Sequence, residues 1–181
     1  GLPLEDGLVE IVTAESSVPG ERHDHLGGHV GEVAVYAWRG APEDPDTQTS
    51  GVGWIRAVDW VPYQRPTFVT PAFAGYVSGH STFSRAAAEV LASLTGTPYF
   101  PGGLLEWTVP SGELIHEAGP AGDVVLQWAT YYDAADEAGI SRLHGGIHIA
   151  QDDVEGRIIG AEVGAGAWEL VQQYFDGTAR P

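Results

Sequence analysis

Apolar residues recur at helical spacing in three stretches of the chain. In residues 25–38, 80–95 and 123–143 the apolar positions fall three and four apart, which places them on one face of an α-helix. Asp123 is the expected N-cap of the third stretch, and Gly96 is the expected stop of the second. The pattern therefore predicts three amphipathic helices.

A fourth helix is predicted from about residue 147 to 175. It carries Gly156, Gly160 and Gly164 at intervals of four. A strip of glycines lets another backbone approach closely, so we expect this helix to pack tightly against a neighbouring helix.

The remaining segments are short or broken. Residues 8–14 and 53–60 are predicted to form short helices, and residues 104–109 and 113–116 can pair as one small β-hairpin. With 25 glycines and 12 prolines, the connections should be long loops. The expected fold is all-α, a helical bundle with Gly/Pro-rich loops and room for that hairpin, in a single domain over residues 1–181.

The composition of the chain excludes some classes of binding partner. Its 181 residues hold 25 acidic side chains against eight arginines and no lysine, a net charge of −17, which argues against a nucleic-acid partner. No apolar run reaches the ~18 residues that a membrane span needs. The chain begins at Gly1 and contains no methionine or cysteine, so we expect a piece of a longer protein, completed by a missing N-terminal segment or a partner chain. A secreted or cell-surface location is expected, and homo-oligomerisation is left open.

The first chemical motif is Ser78-Gly79-His80 at the start of the helix over 80–95. A helix N-terminus presents unpaired amides and the positive end of the helix dipole. The Gly79 and His80 amides and the Ser78 hydroxyl can therefore hold the oxygens of a phosphate-like anion.

The second motif is SRLHGGIHIAQD, residues 141–152. On one continuous helix Arg142 and His148 would point in different directions, but Gly145-Gly146 breaks the helix between them. His148 and Asp152 are four apart on the helix that follows, so the carboxylate can orient the imidazole as a nucleophile or metal ligand. His80 is the candidate acid or base.

Together the two motifs resemble the signature of the superfamily shared by vanadium-dependent haloperoxidases and type-2 phosphatidic acid phosphatases. The superfamily motifs run Lys-x6-Arg-Pro, Pro-Ser-Gly-His and Ser-Arg-x5-His-x3-Asp. Seven fixed residues match here: Ser78, Gly79, His80, Ser141, Arg142, His148 and Asp152. The flanking residues 71–83 are more similar to the haloperoxidase branch than to the lipid phosphatases, and the resemblance covers about residues 20–160.

The resemblance implies a role for each matched residue. His148 would be the axial ligand of vanadate, or the covalent nucleophile if phosphate is the substrate, with Asp152 behind it. His80 would deprotonate peroxide or protonate a leaving group. The equatorial oxygens would be bound by Ser78, Gly79, Arg142 and Arg39. Phe73 falls where chloroperoxidase-like members carry an aromatic residue beside the vanadate, and His144 is close enough to Arg142 to support it.

The first superfamily motif departs from the pattern. Its preferred placement keeps Arg39 but has Glu32 in the lysine position and Gly40 in the proline position. A second placement puts Arg65-Pro66 in the Arg-Pro position, with Val58 in place of the lysine. The first is preferred because residues 25–38 are predicted to be helical. The missing cation could come from Arg56 or Arg65.

A separate histidine cluster, His23, His25 and His29, offers a weaker signal. His25 and His29 have the i,i+4 spacing of metal ligands, but a third firm ligand is lacking, so a solvated helix start is the preferred interpretation.

The leading hypothesis is a vanadate-dependent haloperoxidase that oxidises halide, or a small organic substrate, with hydrogen peroxide. Two alternatives stay open. One is an acid phosphatase with a phospho-His148 intermediate, for which phosphate is a substrate and no cofactor is needed. The other is a non-catalytic descendant used as a structural or surface-assembly subunit, which the absent lysine and Glu32 motivate.

Overall fold

The computed structural model describes residues 3–65, 67 and 74–180 and divides the chain into two compact units. Unit 1 comprises Gly1–Phe68 and Ser111–Gly122, and unit 2 comprises Val69–Pro110 and Asp123–Pro181. Within the described residues, no helix has the length and apolar character needed to cross a bilayer.

Unit 1 is built on a three-stranded antiparallel sheet in the order β1-β2-β3. The strands are β1 (Val9–Ile11), β2 (Val33–Trp38) and β3 (Val52–Arg56). Short 3-10 helices cover Asp24–His29 and Ala57–Asp59. Val12, Leu26 and Ala34 are buried together and Trp54 packs against them, so one face of the sheet carries the core of this unit.

The helices predicted in this unit are wrong. Residues 25–38 form a 3-10 turn and then strand β2, because Gly31 takes a left-handed φ of 93° that ends the helical turn. From Val33 onward, β-branched and aromatic residues pair with β1 on one side and β3 on the other. The segments 8–14 and 53–60 likewise supply β1 and β3.

The described part of unit 2 contains three helices and a two-stranded ribbon. The helices are α1 (Gly79–Thr95), α2 (Tyr131–His144) and α3 (Ala150–Phe175), and the ribbon pairs β4 (Leu105–Val109) with β5 (Val124–Trp128). The helix predicted over 80–95 is confirmed, and Gly96 ends it with a φ of 73°. Ala88, Tyr131 and Ala135 form the buried core between α1 and α2.

Two predictions within unit 2 need correction. The strand β4 pairs with residues 124–128, not with 113–116. Asp123 is not a helix cap, because β5 follows it. The cap of α2 is Thr130, whose side chain accepts a hydrogen bond from the Asp133 amide in a capping box.

Since the described residues include five strands in two antiparallel sheets, the predicted all-α fold is wrong and the fold is mixed helix and sheet.

The glycine strip of α3 packs directly on α1, as predicted. A Cβ added at Gly156 would lie 2.9 Å from the Ser78 carbonyl oxygen, and one at Gly164 would lie 2.7 Å from that of Ala86. Between them, a Cβ at Gly160 would collide with the Thr82 carbonyl. Only glycine at these three positions allows the two backbones to lie so close.

We predict that Gly160→Ala destabilises unit 2 by about 1–3 kcal/mol, because the added methyl group meets backbone that cannot move aside. Urea unfolding followed by circular dichroism measures this. Gly166→Ala is the matched control: its Cβ would meet no atom within 4 Å, so removing an exposed helical glycine should stabilise the chain by about 0.5–1 kcal/mol. Equal effects of the two substitutions would contradict the packing account.

Candidate active site

The N-terminus of α1 is tied to the first turn of α3. The Ser78 amide donates a hydrogen bond of 3.0 Å to the carbonyl oxygen of Asp152, and the fully buried Ser78 hydroxyl accepts one of 3.4 Å from the Ser81 amide. As an acceptor, that hydroxyl keeps its own proton to donate. A Cβ at Gly79 would meet no atom within 4 Å, so the space at this residue is open.

His148 is oriented by Asp152. The Nδ1 atom of His148 lies 3.0 Å from Oδ2 of Asp152, and both side chains are mostly buried. The same carboxylate oxygen accepts a hydrogen bond from the Ile149 amide. With Asp152 ionised, Nδ1 carries the proton, and Nε2 therefore keeps a lone pair for a ligand or an electrophile.

Arg142 is held beside His148 by the turn between α2 and α3. The Arg142 carbonyl oxygen accepts hydrogen bonds from the amides of Ile147 and His148, at 3.1 and 3.4 Å. Gly146 takes a left-handed φ of 69° within this turn. The break at Gly145-Gly146 thus folds the two motif residues back towards each other.

The Arg142 side chain is partly buried. Its Nε is buried with no hydrogen-bond partner among the residues that the structure describes, and burial lowers its pKa, although an arginine stays charged at neutral pH. Four other arginines among the described residues pair with carboxylates: Arg22, Arg56, Arg85 and Arg157. A buried guanidinium nitrogen without a partner costs free energy, so these residues fit an oxyanion whose oxygens would compensate the charge.

His80 lies in the first turn of α1 and is exposed at the surface. The pKa of its imidazole is lowered, first by loss of hydration where the ring contacts protein and then by electrostatic interaction with Arg142 and His148. This coupling places the three side chains in one electrostatic site. At neutral pH His80 is therefore uncharged and able to accept a proton.

A buried network that the sequence analysis missed joins the three helices around this site. Asp153, on α3, accepts a hydrogen bond of 2.6 Å from the Ser81 hydroxyl on α1 and binds Arg157 at 2.8 Å. Arg157 also reaches Asp136 on α2, at 2.9 Å. Burial alone would raise the pKa of Asp153, but the hydrogen bonds from Arg157 and Ser81 hold it below its usual value. The i,i+4 spacing of Asp153 and Arg157 was the available signal.

The other predicted site residues make other contacts or fall outside the described residues. Glu32, Arg39 and Arg65 belong to unit 1. Glu32 pairs with His29 at 2.9 Å and with Arg56 at 3.5 Å, so its charge is compensated locally. Phe73 lies outside the described residues, and His144 is exposed in the last turn of α2.

Arg39 and Arg65 are each engaged within unit 1. The Arg39 guanidinium covers Gly53, where any Cβ would collide with it, and the Arg65 guanidinium donates a hydrogen bond to the Ile115 carbonyl oxygen.

The histidine cluster of unit 1 has separate partners. His23 is buried against the Ser16 hydroxyl at 2.9 Å, and His25 lies 2.8 Å from the Trp54 carbonyl oxygen. Across the described residues, no group of three histidine, aspartate or glutamate side chains is arranged to hold a metal cation.

Comparison with known proteins places the chain in a family. The family model described as the VCPO second helical-bundle domain matches residues 28–177. The chain belongs to the vanadium haloperoxidase superfamily. A search of curated protein sequences found no match.

Two solved structures of haloperoxidases share the fold. The apo form of a bacterial vanadium-dependent chloroperoxidase is similar with a TM-score of 0.66 and 22% identity, over 80% of this chain and 29% of that chain. A holo form of a bacterial vanadium-dependent chloroperoxidase is similar with a TM-score of 0.61 and 24% identity, over 77% of this chain and 27% of that one. This haloperoxidase-type chain thus spans less than a third of the length of either structure.

We predict that Arg142→Gln raises the pKa of His80, because a nearby positive charge is removed. In the unmutated chain the His80 pKa lies below its ordinary value of 6.5, so the fraction of His80 that can accept a proton falls only as the pH drops through that lowered value. Proton NMR titration of the histidine ring, assigned with His80→Gln, measures the shift.

The control is Arg22→Gln, which removes an arginine paired with Asp6 and Glu10 in unit 1. It should leave the His80 titration unchanged. An unchanged His80 pKa in Arg142→Gln would show that the two groups are not coupled.

Proposed function

We propose that the start of α1, the turn after α2 and the start of α3 hold vanadate, and that this chain is the vanadate-binding part of a haloperoxidase that oxidises halide with hydrogen peroxide. The observation that carries the proposal is the partly buried Arg142 guanidinium, whose Nε has no partner among the described residues, next to a histidine whose Nε2 is left free by the His148–Asp152 contact. Vanadate needs a positive charge to bind its oxygens and a nitrogen ligand for its metal atom, and this site offers both.

The residues of the site have two roles, anion binding and proton transfer. His148 offers its Nε2 lone pair, and Asp152 fixes the ring and stabilises the positive charge that grows on it when Nε2 binds. Arg142, the Gly79 amide and the Ser78 hydroxyl would donate hydrogen bonds to the oxygens of the anion. When bound, vanadate supplies a Lewis-acidic centre that makes peroxide a stronger oxidant of halide.

His80 supplies the proton acceptor for peroxide. Its lowered pKa keeps the imidazole neutral at neutral pH, which suits removal of a proton from hydrogen peroxide. The phosphatase alternative needs the opposite state, a protonated His80 that donates to the leaving group, and this state requires a more acidic medium. In the chain without a bound anion, His80 is thus in the neutral state that the peroxidase uses.

The absent lysine sets a limit on the charge available to the anion. The chain has no lysine, and Glu32 in the lysine position is already paired with His29 and Arg56. Arginine is not equivalent to lysine, because its planar, diffuse charge binds oxygens in a different geometry. We propose that Arg142 carries most of the charge compensation in this chain.

The test is vanadate binding by isothermal titration together with halide oxidation by peroxide. We expect His148→Ala to abolish both, and Arg142→Gln to weaken vanadate binding about ten- to hundred-fold, the value of a hydrogen bond to a charged group. His25→Ala, which replaces an exposed histidine of unit 1, is the matched control and should retain both activities.

Other outcomes would overturn the proposal. Vanadate-inhibited hydrolysis of phosphate monoesters that depends on His148, without halide oxidation, would establish the phosphatase. Absence of vanadate binding and of both activities would support the non-catalytic descendant.

A further inference from the structure

Two consecutive residues of α3 hold the first turn of α1. The carbonyl oxygen of Asp152 accepts the Ser78 amide at 3.0 Å, and the carboxylate of Asp153 accepts the Ser81 hydroxyl at 2.6 Å. Both serines are fully buried, and Asp153 is nearly so. A single hydrogen bond leaves a turn free to rotate about it, whereas a second one, made from another point of the same turn, prevents that rotation. The contact of Ser81 therefore adds to what the Ser78 amide fixes.

The Asp153 carboxylate is itself fixed by Arg157, one turn further along α3. The guanidinium donates from Nε to Oδ1 at 3.0 Å, and a terminal nitrogen lies 2.8 Å from Oδ2. Such two-point binding by arginine sets the plane of a carboxylate. Arg157 in turn binds the carboxylate of Asp136 on α2 at 2.9 Å and its carbonyl oxygen at 3.1 Å. Ser81 therefore donates to an acceptor whose orientation is fixed.

A glycine of α2 makes room for this contact. Gly139 is buried, and a Cβ added to it would collide with Oδ1 of Asp153 and lie 2.9 Å from the Ser81 hydroxyl oxygen. The hydrogen bond between α1 and α3 is thus covered by the backbone of α2. A buried hydrogen bond to a charged group is stronger than a neutral one or one exposed to solvent.

The contact lies directly beside the proposed donors to the anion. Ser81 comes two residues after Gly79, and its amide donates to the Ser78 hydroxyl at 3.4 Å. On α3, Asp153 comes one residue after the carboxylate that orients His148. A binding site needs its groups held to within about 0.5 Å of the productive geometry. Loss of the hydrogen bond from Ser81 to Asp153 would let the donors of α1 move relative to His148.

We propose that Ser81 and Asp153 are positioning residues for the oxyanion site, and that their hydrogen bond holds the Ser78–Gly79 turn at the distance from His148 that an anion requires. This role rests on the proposed function, since the turn needs such positioning only if it binds an anion. Both side chains are buried and hydrogen-bonded within the protein, so they act through the turn and do not touch the anion.

The experiment compares two variants that each delete one hydroxyl donating to a carboxylate of another helix. Ser81→Ala removes the donor to Asp153. Tyr132→Phe, the matched control, removes the donor to Glu89 at 2.8 Å, ten residues along α1 from Gly79. Urea unfolding should show a similar loss of stability in both. Isothermal titration with orthovanadate should show about five-fold weaker binding in Ser81→Ala, the worth of one hydrogen bond, and unchanged binding in Tyr132→Phe.

A second readout does not require vanadate. The Ser78 amide should exchange with deuterium about five-fold faster in Ser81→Ala than in Tyr132→Phe, because the turn is released locally. Equal vanadate affinities or equal exchange rates in the two variants would overturn the positioning role. If the unmutated chain binds no vanadate, the proposed function fails, and the exchange rates alone decide whether Ser81 holds the turn. If Ser81→Ala does not fold, Ser81→Cys, which offers a weaker donor, replaces it in both measurements.

Discussion

The close contact between α1 and α3 is the constraint on which the rest of the candidate site depends. Gly156, Gly160 and Gly164 let the two helix backbones approach until added methyl groups would strike carbonyl oxygens of α1. At this distance the Ser78 amide reaches the carbonyl oxygen of Asp152, so the start of α1 and the first turn of α3 become one rigid corner. The packing of two helices therefore places Gly79 and His148, from distant parts of the sequence, in one site.

The electrostatics of the chain give this corner its chemical character. Carboxylates outnumber arginines about three to one, by 25 to eight, so almost any arginine could find an acidic partner. Arg157 does so inside unit 2, where it pairs with Asp153 and Asp136. Arg142 is partly buried, and its Nε has no partner among the described residues. A cation kept apart from plentiful internal anions is suited to an external one, and the lowered pKa of the neighbouring His80 follows first from loss of hydration and then from the charge of Arg142.

Local sequence signals predicted the end of α1 and the His148–Asp152 contact but not the strands, for physical reasons. The site residues lie next to helix ends that local signals mark, such as Gly96 and the Gly145-Gly146 break, and the His148–Asp152 pair lies within one helical turn. The strands were missed because β2 and β3 are specified by pairing between distant segments, which apolar spacing in one segment does not reveal. That error also removes the helical argument for placing Glu32 and Arg39 in the first superfamily motif. The link from Ser81 to Asp153 joins residues 72 positions apart, and only the folded chain brings them together.

The most direct test of this account is a crystal structure of the chain grown with orthovanadate. We predict density for vanadium within bonding distance of His148 Nε2, with the Arg142 guanidinium and the Gly79 amide donating hydrogen bonds to its oxygens. Vanadate bound away from His148, or a corner between α1 and α3 in which Arg142 pairs with a carboxylate of the protein instead, would contradict the claim that this corner is built to hold an oxyanion.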